Sequence, residues 1–391
     1  MERIFIKPEI ETILNFPKIV SGHQPIIFYY GILLKALVLN KHKGENLFLI
    51  ADHDERKEIF TYTIDNNFQI HKVYFLRLEE NTIFEKFPKI TKSLIFSFYK
   101  ELKQLTHKKL LNNLERAFEI AFELNKEIDD YSSFMINWTF KCFQIDVKVI
   151  KVSEISKSEN FKNFVIEISN SDFKEKFNEI LINLKRKPFR ILQQNELPFW
   201  KIVNNKRLPL MKEDLNNIDK IEVRPRAYTL TLFFRKNGYA FLHGFGGYGY
   251  DKIIEYIYND LAPKFLISGD KFLDLDIEIK NFEEFFKLKN IISDLKWHSE
   301  YLFKCNCPIK DINNFFNWNL KLSENSLKLE KFLGILERPN DFKFFRDINE
   351  KLFLQAKTSS IYSYLLEIYK KAKACTFREF PFFMFYGDQL S

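Results

Sequence analysis

Three of the seven histidines stand at the ends of predicted strands, each beside a glycine or an aspartate. They are His23 after Gly22, His53 between Asp52 and Asp54, and His243 before Gly244. In an open α/β sheet, ligands bind outside the carboxyl ends of the strands, so these segments are expected to meet at one edge. An imidazole exchanges a proton near neutral pH, which suits it to acid–base chemistry. A single such histidine is more often structural, but three together predict a shared site.

The first segment places hydrogen-bond donors at a strand-to-helix turn. We predict that Gly22 and Gln24 contact a bound phosphate. His23 is predicted to be catalytic, donating to phosphate oxygens or steadying a leaving group. Lys35 joins the phosphate site if its helical face carries it back toward the turn. The other interpretation of Lys35 is a solvated lysine.

The second segment places a histidine between two carboxylates. We predict that His53 is a general base near neutral pH and that Asp54 is catalytic, with Asp52 and Asp54 placed to hold a magnesium ion or to orient an amine. Asp52 is predicted to bind magnesium. The alternative is a zinc or iron site of a divergent metal-dependent hydrolase, which no H-x-x-x-H helix and no cysteine pair supports.

A glycine cluster follows the third histidine. Four of the chain's 11 glycines fall within six residues: Gly244, Gly246, Gly247 and Gly249. A strand, a glycine loop and a helix N-terminus together can bind an anion, so we predict that these glycines and His243 contact a nucleotide. Asp251 is assigned to the same site, or else it is only a favourable acid in the first helical turn. The competing interpretation of the cluster is a tight turn.

The elements that position these residues follow from hydrophobic periodicity. A strand at 18–21, a helix at 30–41 and a buried strand at 46–50 predict a βαβ unit within residues 16–70. Residues 80–145 are predicted helical, and a second α/β transition follows at 146–152. Residues 197–211 are typical of a hairpin, and residues 229–234 fit either a helix or a strand. A strand at 239–242 and a helix at 252–261 flank the glycine cluster.

The chain of 391 residues is long for one core, so two domains are expected. We predict an α/β core with a parallel sheet over residues 1–275, with a helical insertion at about 80–200. Residues 276–391 are predicted to form an α-helical domain. Its apolar stripes favour packing of antiparallel helices, and the alternative is a coiled coil that joins two chains into a homodimer.

Composition bounds the class of protein. The chain is 46% hydrophobic and 29% charged, which is typical of a globular protein. It has no apolar run of about 18 residues and no signal-peptide pattern at its start, so we expect a cytoplasmic protein without membrane contact. The net charge of +8 is scattered among acidic residues, which favours an anionic small-molecule substrate over nucleic acid. A module that binds RNA or a nucleotide without catalysis remains the second hypothesis.

The same segments carry a family resemblance. Ser21-Gly22-His23-Gln24-Pro25 with Phe28, Gly31 and Lys35, then Phe48 to Asp54, resembles the opening of the BshC family. Gly246-Gly247-Tyr248-Gly249-Tyr250 is similar to that family's glycine loop. The chain departs from the pattern at His23, where the family has glutamine, and at Tyr250, where the loop has glutamate. It is also shorter than typical members.

The BshC family is the cysteine-adding family of bacillithiol biosynthesis. The resemblance implies a Rossmann-like core of the nucleotidyltransferase (HUP) type and a helical, coiled-coil C-terminal part. It also implies binding of ATP or ADP. The reaction that it implies is an ATP-dependent ligation or nucleotidyl transfer on a small amine or amino acid.

Overall fold

The computed structural model describes residues 2–185, 187–275, 277–279, 281–297 and 360–386. The chain divides into two compact units. One unit consists of Ile4–Asp270 with Arg378–Ser391, and the other consists of Met1–Arg3 with Lys271–Phe377. In the described part the strands are β1 (Glu2–Lys7), β2 (Lys18–His23), β3 (Glu45–Ile50), β4 (Glu55–Ile64), β5 (Ile70–Ile83), β6 (Lys148–Lys151), β7 (Glu196–Val203), β8 (Lys206–Met211), β9 (Val223–Pro225), β10 (Ala240–His243) and β11 (Lys264–Lys271).

Helices account for much of the remaining described chain. They are α1 (Ile10–Leu14), α2 (Tyr30–Lys41), α3 (Lys92–Leu105), α4 (Leu111–Leu124), α5 (Tyr131–Cys142), α6 (Val152–Ile155), α7 (Glu159–Asn170), α8 (Phe173–Asn183), α9 (Ala227–Lys236), α10 (Phe245–Tyr250), α11 (Lys252–Ile257), α12 (Phe282–Trp297) and α13 (Ser360–Cys375). Short 3-10 turns occupy Phe84–Lys86, Lys108–Leu110, Lys212–Lys220 and Phe382–Phe385. None of the described helices combines the length and apolarity needed to cross a membrane.

A six-stranded sheet runs in the order β1-β11-β10-β2-β3-β6. The neighbours from β11 to β6 pair in parallel. The central strands are apolar and almost fully buried, as Val20, Phe48 and Leu242 illustrate. Such continuous apolar strands are typical of a parallel sheet that is buried on both faces. The predicted α/β class with a mostly parallel sheet is therefore confirmed. The sequence analysis did not identify β1 and β11.

The predicted βαβ unit is present as β2, α2 and β3. Helix α2 has the predicted bounds, and it is buried on nearly every face, with Leu33, Ala36 and Leu39 fully buried. Because the helix has no broad solvent-facing side, a polar residue in its middle turns is buried as well. Lys35 is in this position and is only 6% exposed.

A long antiparallel hairpin, β4–β5, follows the βαβ unit and forms a sheet of its own. The sequence analysis did not predict it, and helical structure begins at Lys92 rather than near residue 80. The hairpin's own signal is an alternation of β-branched with aromatic residues, in which Ile59, Thr61 and Thr63 are buried. The helices of the predicted insertion do not form one block, because β6 joins the central sheet between α5 and α7.

The predicted hairpin at 197–211 is present as β7 and β8, which form a three-stranded sheet with β9. Residues 229–234, for which the sequence left helix and strand open, lie in α9. At β9, the guanidinium of Arg224 is 1% exposed. It donates to both carboxylate oxygens of Glu85, at 2.7 and 2.8 Å, and to Glu222 at 3.0 Å.

We expect Arg224→Met to lower the free energy of unfolding by about 3–5 kcal/mol, since it leaves the Glu85 carboxylate without its buried partner. Glu222→Gln is the matched control. Glu222 is half exposed, so this variant is expected to lose less than about 1 kcal/mol. Chemical denaturation measures both values. Equal losses in the two variants would show that burial of the pair does not matter.

The second unit is described through α12 and α13. Phe285 on α12 stacks on Tyr369 of α13, with ring centroids 5.6 Å apart. Of the predicted stripes, Phe282, Phe285, Leu365 and Ile368 lie on these helices and are buried. The stripe from Phe315 to Phe332 lies outside the described residues. Whether these helices join two chains into a homodimer stays a prediction.

Candidate functional site

A cleft of about 700 Å³ opens at the carboxyl ends of β2, β3 and β10. The strand order reverses at this place. From β2 the chain proceeds to β3 and β6 on one side, whereas β10 is followed by β11 on the other side. Such a reversal leaves a crevice between the two central strands, and ligands of open α/β sheets bind there.

Most of the predicted site residues line this cleft. They are Gly22, His23, Gln24, Lys35, His53, Asp54, His243, Gly244, Gly246 and Gly247. Three predicted residues do not line it, namely Asp52, Gly249 and Asp251. The fold therefore brings together segments that are more than 200 residues apart in the sequence.

Lys35 is a buried cation in this cleft. Its ammonium donates to the carbonyl oxygen of Gly22 at 2.7 Å, which uses one of three donors. Within the described chain no carboxylate oxygen lies within 4 Å of it. Burial lowers the pKa of Lys35 to about 8, so most of the side chain is still charged at neutral pH. Lys35 is thus not the solvated lysine of the alternative interpretation.

His23 is partly exposed at the end of β2, and its Nδ1 lies 3.2 Å from the carbonyl oxygen of Gln24. Burial lowers the pKa of His23 to about 3, and the nearby Lys35 ammonium adds to this effect. The imidazole is therefore uncharged at neutral pH. It can exchange hydrogen bonds with a ligand, but it contributes no positive charge to the cleft.

His53 lies at the end of β3 and is 3% exposed. Its Nδ1 is buried and has no hydrogen-bond partner in the part of the chain that the structure describes. Burial lowers the pKa of His53 to about 4. We predicted a base that titrates near neutral pH. In the structure the ring is uncharged at that pH and free to accept a proton, although it is a weaker base than free imidazole.

Asp54 is engaged on both carboxylate oxygens. It accepts a hydrogen bond from Gln24 Nε2 at 2.8 Å and forms an ion pair with Arg207. The amide oxygen of Gln24 in turn accepts from Arg56 at 3.0 Å. Burial opposes ionisation of Asp54, but His53, Arg207 and the Gln24 hydrogen bond together hold its pKa below the usual value. Asp54 therefore fixes the orientation of Gln24 in the cleft wall.

Asp52 points away from the cleft. Its carboxylate accepts hydrogen bonds from the backbone amide and the hydroxyl of Ser153, at 3.0 and 2.5 Å, at the start of α6. Burial raises its pKa to about 6. We predicted Asp52 as a magnesium ligand, but both of its oxygens accept hydrogen bonds from Ser153 in the first turn of α6. Among the described residues no group of three or more His, Cys, Asp or Glu side chains is arranged to hold a metal ion.

His243 is held in place from behind. Its Nε2 lies 3.2 Å from Asp251 Oδ2, and the same oxygen accepts from Arg235 NH1 at 2.7 Å. Burial lowers the pKa of His243, although the bond to Asp251 partly opposes the effect. Asp251 is therefore a positioning residue beneath the cleft and not the ligand contact that we predicted. Arg235 escaped the sequence analysis because nothing local marks it.

The glycine cluster forms a short helix instead of an extended loop. Gly244 precedes α10, and the other three glycines lie inside it. None of the four has a positive φ, so left-handed geometry does not explain them. At Gly247 an added Cβ would lie 2.3 Å from His243 Nδ1. At Gly244 and Gly246 it would meet nothing within 4 Å, so these two leave open space at the cleft.

Other cleft residues were not predicted. Residues 58–62 of β4 form part of the wall, and Tyr29 and Arg378 lie at another part of it. Arg378 donates to Ser268 at 2.7 Å and pairs with Asp270. Tyr250 also lines the cleft. Burial raises its pKa to about 12, so it is a neutral hydrogen-bond donor.

Comparison with known proteins adds no assignment. The chain matches no protein-family model, and a search of curated proteins finds no match.

Gly247→Ala should displace His243, because the new methyl group would overlap a buried ring that Asp251 holds in place. We expect a loss of about 1–3 kcal/mol in the free energy of unfolding. Gly249→Ala in the same helix meets nothing within 4 Å and is expected to be neutral or slightly stabilising. Denaturant titrations compare the two. If both variants behave alike, His243 is not packed against Gly247.

The lowered pKa of His53 gives a pH dependence. Its folded-state pKa is about 4, below the ordinary 6.5, so its contribution to stability is present above pH 6.5 and is lost as the pH falls toward 4. In His53→Gln the fall across this range should be shallower, by at most about 1.4 kcal/mol per pH unit. Unfolding free energies measured at several pH values test this. Identical slopes in both proteins would contradict it.

Proposed function

We propose that the cleft binds the phosphate groups of an adenine nucleotide and that the chain is an ATP-dependent ligase or nucleotidyl-transfer enzyme. By resemblance to the BshC family, its second substrate would be a small amine or amino acid. The observation that carries the proposal is the buried Lys35 ammonium, which lines the cleft without a carboxylate partner among the described residues.

A comparison with the other buried cations supports this interpretation. Among the described residues each of them has a carboxylate within ion-pair distance: Arg224 with Glu85, Arg226 with Glu196, Arg235 with Asp251 and Lys271 with Glu2, and the partly exposed Lys264 likewise pairs with Glu255. A buried charge without a counter-ion destabilises a fold. The buried charge of Lys35 therefore lowers the stability of the fold, and a bound anionic ligand would offset this loss. Lysine commonly binds phosphate groups in proteins, where its ammonium acts as a point charge.

The position in the sheet also supports a nucleotide. If the parallel strands are numbered along the chain from β2 to β11, their spatial order is 3-2-1-4-5. Doubly wound, Rossmann-like folds use this order and bind nucleotides at the crevice between strands 1 and 4. Part of the residues that resemble the BshC family line this same crevice, among them Gly22, Lys35 and His53, which favours a Rossmann-like core.

The residues at the cleft suit a reaction in which a nucleophile loses a proton. In either reaction an amine or another nucleophile attacks and must release a proton as the bond forms. The uncharged His53 lines the cleft and can accept the proton at a ring nitrogen, and a phosphate anion nearby would raise the pKa of His53 and so make it a stronger base. Magnesium would bind together with the nucleotide, coordinated by its phosphates, because Asp52 is hydrogen-bonded to Ser153.

The test is calorimetric titration of ATP and of inorganic triphosphate, with and without magnesium, into wild type and Lys35→Met. We expect the variant to lose phosphate affinity by about 10- to 150-fold, as for a charged hydrogen bond. In the absence of ligand its free energy of unfolding should be unchanged or higher, since a costly buried charge is gone.

Lys264→Met is the matched control, because Lys264 is also a poorly exposed lysine but pairs with Glu255 and does not line the cleft. It should keep phosphate affinity and lose stability. Wild type that binds neither compound at millimolar concentration would contradict the proposal, as would full affinity in Lys35→Met. With substrates added, release of ADP and phosphate would indicate phosphoryl activation, and release of AMP and pyrophosphate would indicate nucleotidyl transfer.

A further inference from the structure

The cleft extends from the strand ends onto β4 of the β4–β5 hairpin, where residues 58–62 line it. The alternation of β4 divides its side chains between two faces. Thr63 on the buried face shares a hydrogen bond of 2.7 Å with Thr106 at the end of α3. Phe60 and Tyr62 belong to the opposite face, are partly exposed, and line the same cleft as Lys35.

These two rings belong to a fixed aromatic cluster. Phe60 packs edge to face with Tyr62 at 5.7 Å and with Tyr74 of β5 at 6.0 Å between ring centroids. The ammonium of Lys72 lies 3.7 Å from the centroid of Phe60, and the guanidinium of Arg77 lies 3.4 Å from that of Tyr74. Edge-to-face contacts and cation–π pairs hold the rings in one orientation. The cleft wall here is therefore a pre-organised aromatic surface.

We propose that Phe60 and Tyr62 form the base subsite of the cleft, the surface on which the nucleobase stacks while Lys35 holds the phosphates. This inference rests on the proposed function and adds to it the part of the ligand that the hairpin recognises. A cleft of about 700 Å³ is much larger than a phosphate group requires and fits a ligand of nucleotide size. Aromatic rings beside cations are the side chains on which single bases stack in proteins.

The geometry selects a flat ring over a purely polar ligand. An extended polyphosphate or a small phosphorylated acid would leave the Phe60 and Tyr62 rings in contact with water. A nucleobase would cover apolar ring surface and interact with the π-systems at the same time. We therefore expect the protein to bind ATP more tightly than inorganic triphosphate. This increment in affinity comes from the rings of the hairpin and is separate from the contribution of Lys35, which acts on the phosphates of both ligands.

The experiment measures the dissociation constants of ATP and of inorganic triphosphate by calorimetry in wild type, Phe60→Leu, Phe60→Tyr and Tyr74→Ala. Wild type is expected to bind ATP more tightly than triphosphate. Phe60→Leu should reduce ATP affinity by about 5- to 150-fold and leave triphosphate affinity unchanged. Phe60→Tyr keeps a ring and should keep the increment. Tyr74→Ala removes a ring that supports Phe60 but does not line the cleft, and should lose less of the increment than Phe60→Leu.

Each outcome separates the base subsite from the phosphate site. Equal affinity for ATP and triphosphate in wild type would overturn the base subsite and leave the phosphate site standing. An ATP increment that survives in Phe60→Leu would also overturn it, and so would a loss of the increment in Tyr74→Ala equal to that in Phe60→Leu. If wild type binds neither compound, the proposed function itself fails. Thermal unfolding of every variant confirms that the hairpin is intact.

Discussion

A positive charge held in the crevice of the parallel sheet is the constraint on which the candidate site depends. Helix α2 packs with almost no exposed face, so the ammonium of Lys35 is carried under the end of β2, where its described partner is the Gly22 carbonyl. Burial disfavours the charged form, as the pKa of about 8 reflects. A fold that places such a charge at the reversal point of its strand order is poised for an anionic ligand.

The described side chains around Lys35 do not neutralise its positive charge. His23 and His53 are uncharged at neutral pH because burial lowers their pKa values, so they add no cation and no anion to the cleft. Of the acids at or beneath the cleft, Asp54 pairs with Arg207, Glu58 with Lys72 and Asp251 with Arg235, and Glu379 also lines the wall. The cleft also has Arg56 and Arg378 at its wall, but Arg56 donates to Gln24 and Arg378 pairs with Asp270, so Lys35 is the lining cation without a described side-chain partner. This combination suits recognition of phosphate and leaves a neutral imidazole for proton transfer.

The sequence was informative where the signal is local. The β2-α2-β3 unit follows from short-range periodicity, and the polar residues after each strand belong to the cleft because parallel strands end at one edge. The β4–β5 hairpin was missed because its alternation of threonine with aromatic residues was not read as a strand. The partners Arg207 and Arg235 could not be predicted, since their contacts join distant or unmarked positions. The glycine cluster indicated the edge of the sheet at which the cleft lies. Contact with a ligand was an incomplete explanation of the cluster, since close packing against His243 explains Gly247.

The most direct measurement is the pKa of the Lys35 ammonium by NMR of protein labelled with ¹⁵N-lysine, in the free state and with inorganic triphosphate. The structure predicts a value of about 8 without ligand, below the ordinary 10.5. Bound triphosphate should raise it, because an anion at the ammonium favours the charged form. An ordinary pKa in the free protein that triphosphate does not change would contradict the account, because Lys35 would then be neither desolvated nor part of an anion site.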